Sequence, residues 1–151
     1  MRDYLPLGVF VLLVACAALF GAQFQPGPWY AELRKPPLNP PNWVFGPVWT
    51  ILYLAIAVSG WLVWRARPES PLPLALWAGQ LVLNGAWSFL FFGLRRPGAA
   101  LLEILTLLVV LFITTATFFR VGRVPGALFL PYTAWVSFAA YLNAGIWYLN
   151  R

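Results

Sequence analysis

Histidine is absent from this chain, and cysteine occurs once, at Cys16. A single thiol cannot close an intramolecular disulfide, and without histidine or a second cysteine no His or Cys metal cluster can be assembled, so no metal site is expected. A haem iron would lack its commonest axial ligand. Carboxylates are almost as scarce: Asp3, Glu32, Glu69 and Glu103 are the only four, and charged residues make up 9% of the 151. Neither an acid–base pair nor a nucleophile with its base can be read from so few groups. That weighs against an enzyme and leaves no required cofactor. The ten Lys and Arg residues stand singly or in pairs at the ends of apolar runs rather than in a phosphate-tracking stripe, which excludes a nucleic-acid partner.

What is plentiful is hydrocarbon. Apolar residues make up 62% of the chain. They fall into five runs, at about 4–23, 45–64, 74–94, 99–119 and 126–150, each of roughly the twenty residues a bilayer core requires. The expectation is an all-α, multi-pass integral membrane protein whose partner is the lipid bilayer. Residues 1–151 would form a single transmembrane domain of five helices in one bundle. The first run, behind Arg2 and Asp3, has a competing reading as a signal peptide. It continues past Cys16, however, and four more runs follow, which favours a retained helix. Five spans put Arg2, Arg65, Arg67, Arg120 and Arg123 on one side and Arg34, Lys35, Arg95, Arg96 and Arg151 on the other. The positive-inside rule is tied, so neither orientation nor the identity of the membrane follows.

Between the first two runs, residues 24–44 carry most of a proline cluster: seven of the fourteen prolines lie between Pro26 and Pro47. The pairs Pro36-Pro37 and Pro40-Pro41 cannot continue a helix. A stiff, partly extended loop is predicted, with a short amphipathic turn over 29–34 and helix resuming at Pro47. Two readings fit: a lid whose end delivers Trp49 and Tyr53 into the bundle, or an interfacial loop with belt aromatics.

Spacing within the runs adds inward faces. Trp49, Tyr53, Ile56 and Gly60 share one side of the second helix, and Gln80, Asn84 and Ser88 make a polar stripe on the third. In hydrocarbon each polar group needs a partner, so that stripe should face the interior, either lining a cavity or bonding helix to helix. Ala75 and Gly79 form a small-residue pair suited to a dimer seam, and Ala17 and Gly21 are spaced for close helix contact. Glu103, the one carboxylate inside a run, lies near a helix start, where the helix dipole and Arg95 or Arg96 would hold it ionised; a proton-relay role would suit the midplane better. Pro131 should bend the last helix by freeing the carbonyl of Ala127.

Three blocks then occur in a familiar order: Trp29-Tyr30…Leu33…Lys35-Pro36…Asn39-Pro40-Pro41…Trp43-Val44-Phe45…Pro47…Trp49; Gln80…Asn84…Trp87 with Phe91-Phe92; and Pro131-Tyr132…Trp135…Phe138-Ala139…Leu142-Asn143. With these blocks the chain resembles the tryptophan-rich sensory protein/translocator protein family over essentially its whole length. The resemblance implies a five-helix membrane protein, often a homodimer, that binds tetrapyrroles such as protoporphyrin IX or haem and sterol-like or benzodiazepine-type ligands. Receptor, transport, porphyrin-handling and stress-sensing roles are all implied. By the same resemblance Tyr30 would lie at the lid, Trp49 and Trp135 would be facing walls, Asn84 would be a polar contact, and Trp43 would also belong to the ligand-binding set. Tyr53, Gln80, Trp87, Phe138 and Leu142 complete the expected ligand-binding set.

Some members of that family are linked to light-dependent porphyrin degradation. The catalytic residues here, if any, would be Trp49 and Trp135. The animal members' sterol pattern is met loosely by Leu142, Tyr148 and Arg151, but Ala144 and Gly145 stand where those members carry tyrosines, and an interfacial anchor explains these aromatics better. A porphyrin is a flat apolar plate with carboxylates on one edge, suited to stacking between indoles. Its carboxylates would find donors in Arg34, Lys35, Asn39 or Asn84.

Overall fold

The computed structural model describes residue 2 and residues 4–151; Met1 and Asp3 lie outside the described residues. Among the described residues every regular element is helical: α1 (Leu5–Ala22), α2 (Pro28–Glu32), α3 (Asn42–Arg65), α4 (Leu72–Ser88) running into a π-helical turn (Phe89–Gly93), α5 (Pro97–Val121) and α6 (Arg123–Leu149). Four helical stretches are long and apolar enough to cross a membrane: Leu5–Ala22, Asn42–Arg65, Leu72–Gly93 and Pro97–Val121. The fifth expected span lies on α6, which has the length, at 27 residues, but a more polar composition. Its polar side chains Tyr132, Thr133 and Asn143 are all buried against the other helices.

Two boundaries differ from expectation, both because a proline falls inside a helix. Helix α3 begins at Asn42 directly after Pro41, which caps it in an extended conformation (ψ 150°), so Pro47 lies inside the helix and not at its start. The missing N–H there leaves only the carbonyl of Trp43 without its usual acceptance. Likewise, 120–125 is not an open turn. Gly122 alone separates α5 from α6, and Pro125 sits in the first turn of α6, where no intrahelical bond is lost.

Lipid offers helices no hydrophobic reason to associate, so close packing and buried hydrogen bonds must hold the bundle. Three helices meet at Gly60. The Trp77 indole lies across it and donates from Nε1 to the Ile56 carbonyl at 2.9 Å, and Phe10 of α1 packs edge-on to that indole, centroids 4.9 Å apart. Helices α5 and α6 form a hairpin joined by the Thr115–Thr133 hydroxyl bond (2.7 Å) and by Phe118 against Phe129 (5.1 Å). The central layer, with Ile56, Leu111, Phe118, Phe129 and Val136, is almost wholly inaccessible.

A Cβ on Gly60 would lie 2.5 Å from Trp77 Nε1 and 3.0 Å from Phe10 Cδ1. Gly60→Ala should therefore push the indole off its carbonyl and destabilise the bundle by about 1–3 kcal/mol, as overpacking generally does. Thermal unfolding in detergent checks this. A melting temperature equal to the parent's would mean that the three-helix junction is not close-packed.

Candidate functional site: an aromatic chamber inside the bundle

All six helices contribute to one chamber of about 630 Å³. On α3, Trp49 and Tyr53 face it from the inward stripe that continues to Ile56 and Gly60, and their rings tilt together at 5.3 Å. From α6 come Trp135, Leu142 and Asn143; Trp135 is braced by Phe45 (6.1 Å) and by Phe138 (5.6 Å). Helix α4 supplies Asn84 and Trp87, and α5 the aliphatic Ile104 and Leu107.

The π-helical turn shapes one end. Its wide winding is closed by Leu94 N–H donating to the Phe89 carbonyl at 2.8 Å, and such turns often sit at functional sites. Phe91 stacks on Trp87 (5.0 Å) and meets Phe92 edge-on (4.8 Å), while Tyr30 from α2 packs on Phe92 at 5.5 Å. Tyr30 and Asn39 bring the proline-rich segment to the chamber. Trp43 touches the chamber from its rim, with 74% of its surface exposed.

That segment is strapped to the C-terminal half of α6. Arg34 N–H donates to Asn150 Oδ1 (2.9 Å), and Asn150 Nδ2 donates back to the Arg34 carbonyl (2.8 Å). Tyr141 donates its hydroxyl to the Pro37 carbonyl at 2.8 Å. The buried Pro36 ring sits against Gly145, where a Cβ would come within 2.6 Å of it. The glycine at 145 is thus what allows the ring to dock.

Two residues of the α4 polar stripe, Asn84 and Gln80, belong to a hydrogen-bonded series. Tyr53 donates to Asn84 Oδ1 (3.2 Å), Asn84 Nδ2 to Tyr132 Oη (2.9 Å), and Tyr132 to Gln80 Oε1 (2.7 Å). A second set, Trp87 Nε1 to Asn143 Oδ1 (2.9 Å) and Asn143 Nδ2 to the Pro97 carbonyl (2.8 Å), ties α4, α5 and α6 at one level.

Of the expected ligand-binding residues, Tyr30, Trp43, Trp49, Tyr53, Asn84, Trp87, Trp135 and Leu142 line the chamber; Gln80 and Phe138 do not. Gln80 lies behind Tyr132, and Phe138 backs Trp135 while also stacking on Tyr141. Among the expected carboxylate donors, Asn39 and Asn84 reach the chamber, whereas Lys35 bonds the Tyr30 and Leu33 carbonyls (2.8 and 3.1 Å) and Arg34 is exposed. Glu103 makes no ion pair with Arg95 or Arg96 among the described residues, and both its carboxyl oxygens are buried without a partner. Nearly two turns separate it from the helix start, and both arginines are exposed. The sterol-pattern residues do not share a surface: Leu142 faces inward, while Tyr148 is exposed under the Arg151 guanidinium, 4.6 Å from its ring. Phe45, Phe91, Phe92 and Asn143 line the chamber without having been singled out, although all four fall inside the three sequence blocks.

Comparison with known proteins reaches the same three blocks. A model of the TspO/MBR family matches residues 9–149. The chain is similar to a translocator protein of Bos taurus (37% identical over 98% of this chain and 92% of the relative). It is likewise similar to protein CrtK of Rhodobacter capsulatus (39%, over 94% and 91%) and to the tryptophan-rich protein TspO of Chlorobaculum tepidum (37%, over 99% and 98%).

If the strap holds the proline-rich segment in place, Asn150→Ala should speed backbone hydrogen exchange at Arg34 by about two- to tenfold, the worth of a lost hydrogen bond. Exchange mass spectrometry of peptides covering 29–41 measures this. Exchange unchanged in the variant would show that the segment is held by other contacts.

Proposed function

The chain belongs to the TspO/MBR family, and from that premise we propose that it binds tetrapyrroles, protoporphyrin IX or haem, in the aromatic chamber as a membrane receptor or carrier. The proline-rich segment acts as the lid, and α6 acts as the fifth membrane span, with Tyr132, Thr133 and Asn143 turned inward. The observation that carries this reading is a single cavity of about 630 Å³ with Trp49, Trp87 and Trp135 in its walls and Asn39, Tyr53 and Asn84 as its polar points. That volume falls in the range of roughly 300–1,000 Å³ typical of small-molecule sites. Indole faces suit a flat conjugated plate, and side-chain amides suit the carboxylates on its edge. A sterol-like or benzodiazepine-type ligand has a similar apolar body and would compete for the same space. The exposed small residues Ala75 and Gly79 on α4 are the surface we assign to a homodimer. The names of relatives, translocator and sensory protein among them, support a transport or sensing role as the setting.

A second reading, light-dependent porphyrin degradation, is favoured by one observation: two indoles on different helices, Trp49 and Trp135, line the same cavity. An indole beside a photoexcited porphyrin can give it an electron, which starts its breakdown without any acid–base pair.

Tryptophan-fluorescence titration in detergent tests the binding. Protoporphyrin should quench at least as effectively as haem, since no histidine is present to ligate iron. Trp49→Phe and Trp135→Phe should each weaken binding by about two- to tenfold, the worth of an aromatic contact. No saturable quenching by either ligand would sink the receptor reading. In the light, both variants should lose the time-dependent decay of the Soret band. Decay at the parent rate in both would remove the degradation reading.

A further inference from the structure

The hydrogen-bonded series beside the chamber has a direction, and one end of it is unfinished. Every donor points away from the cavity: Tyr53 gives its proton to Asn84, Asn84 to Tyr132, and Tyr132 to Gln80. Gln80 is completely buried, yet its Nε2 has no partner among the described residues. The Glu103 carboxyl oxygens are the complementary case, two buried acceptors with no donor among the described residues.

Helix rise and turn put the two residues at one level and on one seam. The Asn143 amide ties Trp87 to Pro97 and so aligns those two positions. Gln80 lies seven residues before Trp87 and Glu103 six residues after Pro97, displacements of about 10 and 9 Å along antiparallel helices at 1.5 Å per residue. On α5 the buried stripe runs through Ala100, Ile104 and Leu107, and Thr115 on one flank bonds Thr133 of α6. At about 100° per residue Glu103 falls on the opposite flank, toward α4. On α4, a Cβ on Gly85 would lie 3.3 Å from Phe20 Cδ1 of α1, and Gln80 lies on the flank turned away from it, toward α5.

We propose that Glu103 is a positioning residue that sets the donor–acceptor character of the chamber wall by accepting from Gln80 Nε2 through one bridging water. This rests on the reading of the chamber as a ligand site. An ionised carboxylate only accepts. With one at the end of the series, Gln80 must present its N–H₂ to α5 and its oxygen to Tyr132. Tyr132 then donates to Gln80 and accepts from Asn84, and Asn84 offers its oxygen to Tyr53. Tyr53, its proton committed, meets the ligand as an acceptor. Without that terminus both amides can turn over, and the series can run backwards, with the Tyr53 O–H directed into the chamber. Glu103 thereby selects ligands that carry a donor at this edge, such as an N–H, over ligands that carry a carbonyl.

Two flat probes of equal size, aminopyrene (donor) and pyrene carboxaldehyde (acceptor), read this selection on the full chain in detergent. The parent should favour aminopyrene, and Glu103→Gln, whose amide can present either end, should lose that preference by about two- to tenfold, the worth of one hydrogen bond. Tyr132→Phe should lose it equally, and the double variant should lose no more than either single one. An unchanged probe ratio in Glu103→Gln, or additive losses in the double variant, would overturn the proposal. A ligand-free arm is the ultraviolet resonance Raman doublet of tyrosine, which reports whether a phenol donates or accepts, assigned by difference with Tyr53→Phe and Tyr132→Phe. It should shift in Glu103→Gln, and an unmoved doublet overturns the relay whatever the probes do. Failure of the parent to bind porphyrin, with the doublet still shifting, would instead count against the ligand assignment alone.

Discussion

Within a hydrocarbon solvent a polar side chain has to be answered by another side chain, and in this protein that requirement is met chiefly around Tyr132. Its hydroxyl accepts from Asn84 and donates to Gln80, so one buried phenol joins α6 to two turns of α4. Through Asn84 the linkage reaches Tyr53 on α3. An apolar ring at that position would fill the same volume but leave two buried amides unmatched, each at a cost of about 1–3 kcal/mol. The bundle's register and the chamber's polarity both follow from this one phenol.

Around that polar centre the aromatic residues divide into two groups. Trp77 is structural: it lies over Gly60, bonds a backbone carbonyl and touches Phe10, leaving none of its face for a ligand. Trp49 and Trp135 are half-buried and open onto the cavity. Trp87 belongs partly to each group, since its indole N–H is committed to Asn143 while its ring both stacks on Phe91 and lines the chamber. The difference rests on whether a glycine opposite lets the indole collapse onto a neighbouring helix.

The proline-rich segment shows how rigidity can come from few contacts. Prolines lower the entropy the segment would otherwise lose on docking, so a reciprocal amide pair at Asn150, a tyrosine hydroxyl and one ring against Gly145 hold it over the end of α6. Those anchors are more than a hundred residues away from it in the chain.

Periodicity and chain composition alone determined the all-helical class, the apolar stretches that can enter a membrane, and the inward faces of Trp49 and Asn84. Helical spacing and the expense of polar groups in lipid are local rules that act within one element. The ordered tryptophans and prolines determined the family. Only the tertiary structure decided that Asn42 opens α3, that Gln80 and Phe138 stand behind the chamber wall, and that Glu103 is left without either arginine. It also decided which way each hydroxyl and amide of the Tyr53–Gln80 series donates. Those outcomes depend on which neighbour occupies the space across a helix seam, and no rule of spacing within a single helix carries that information.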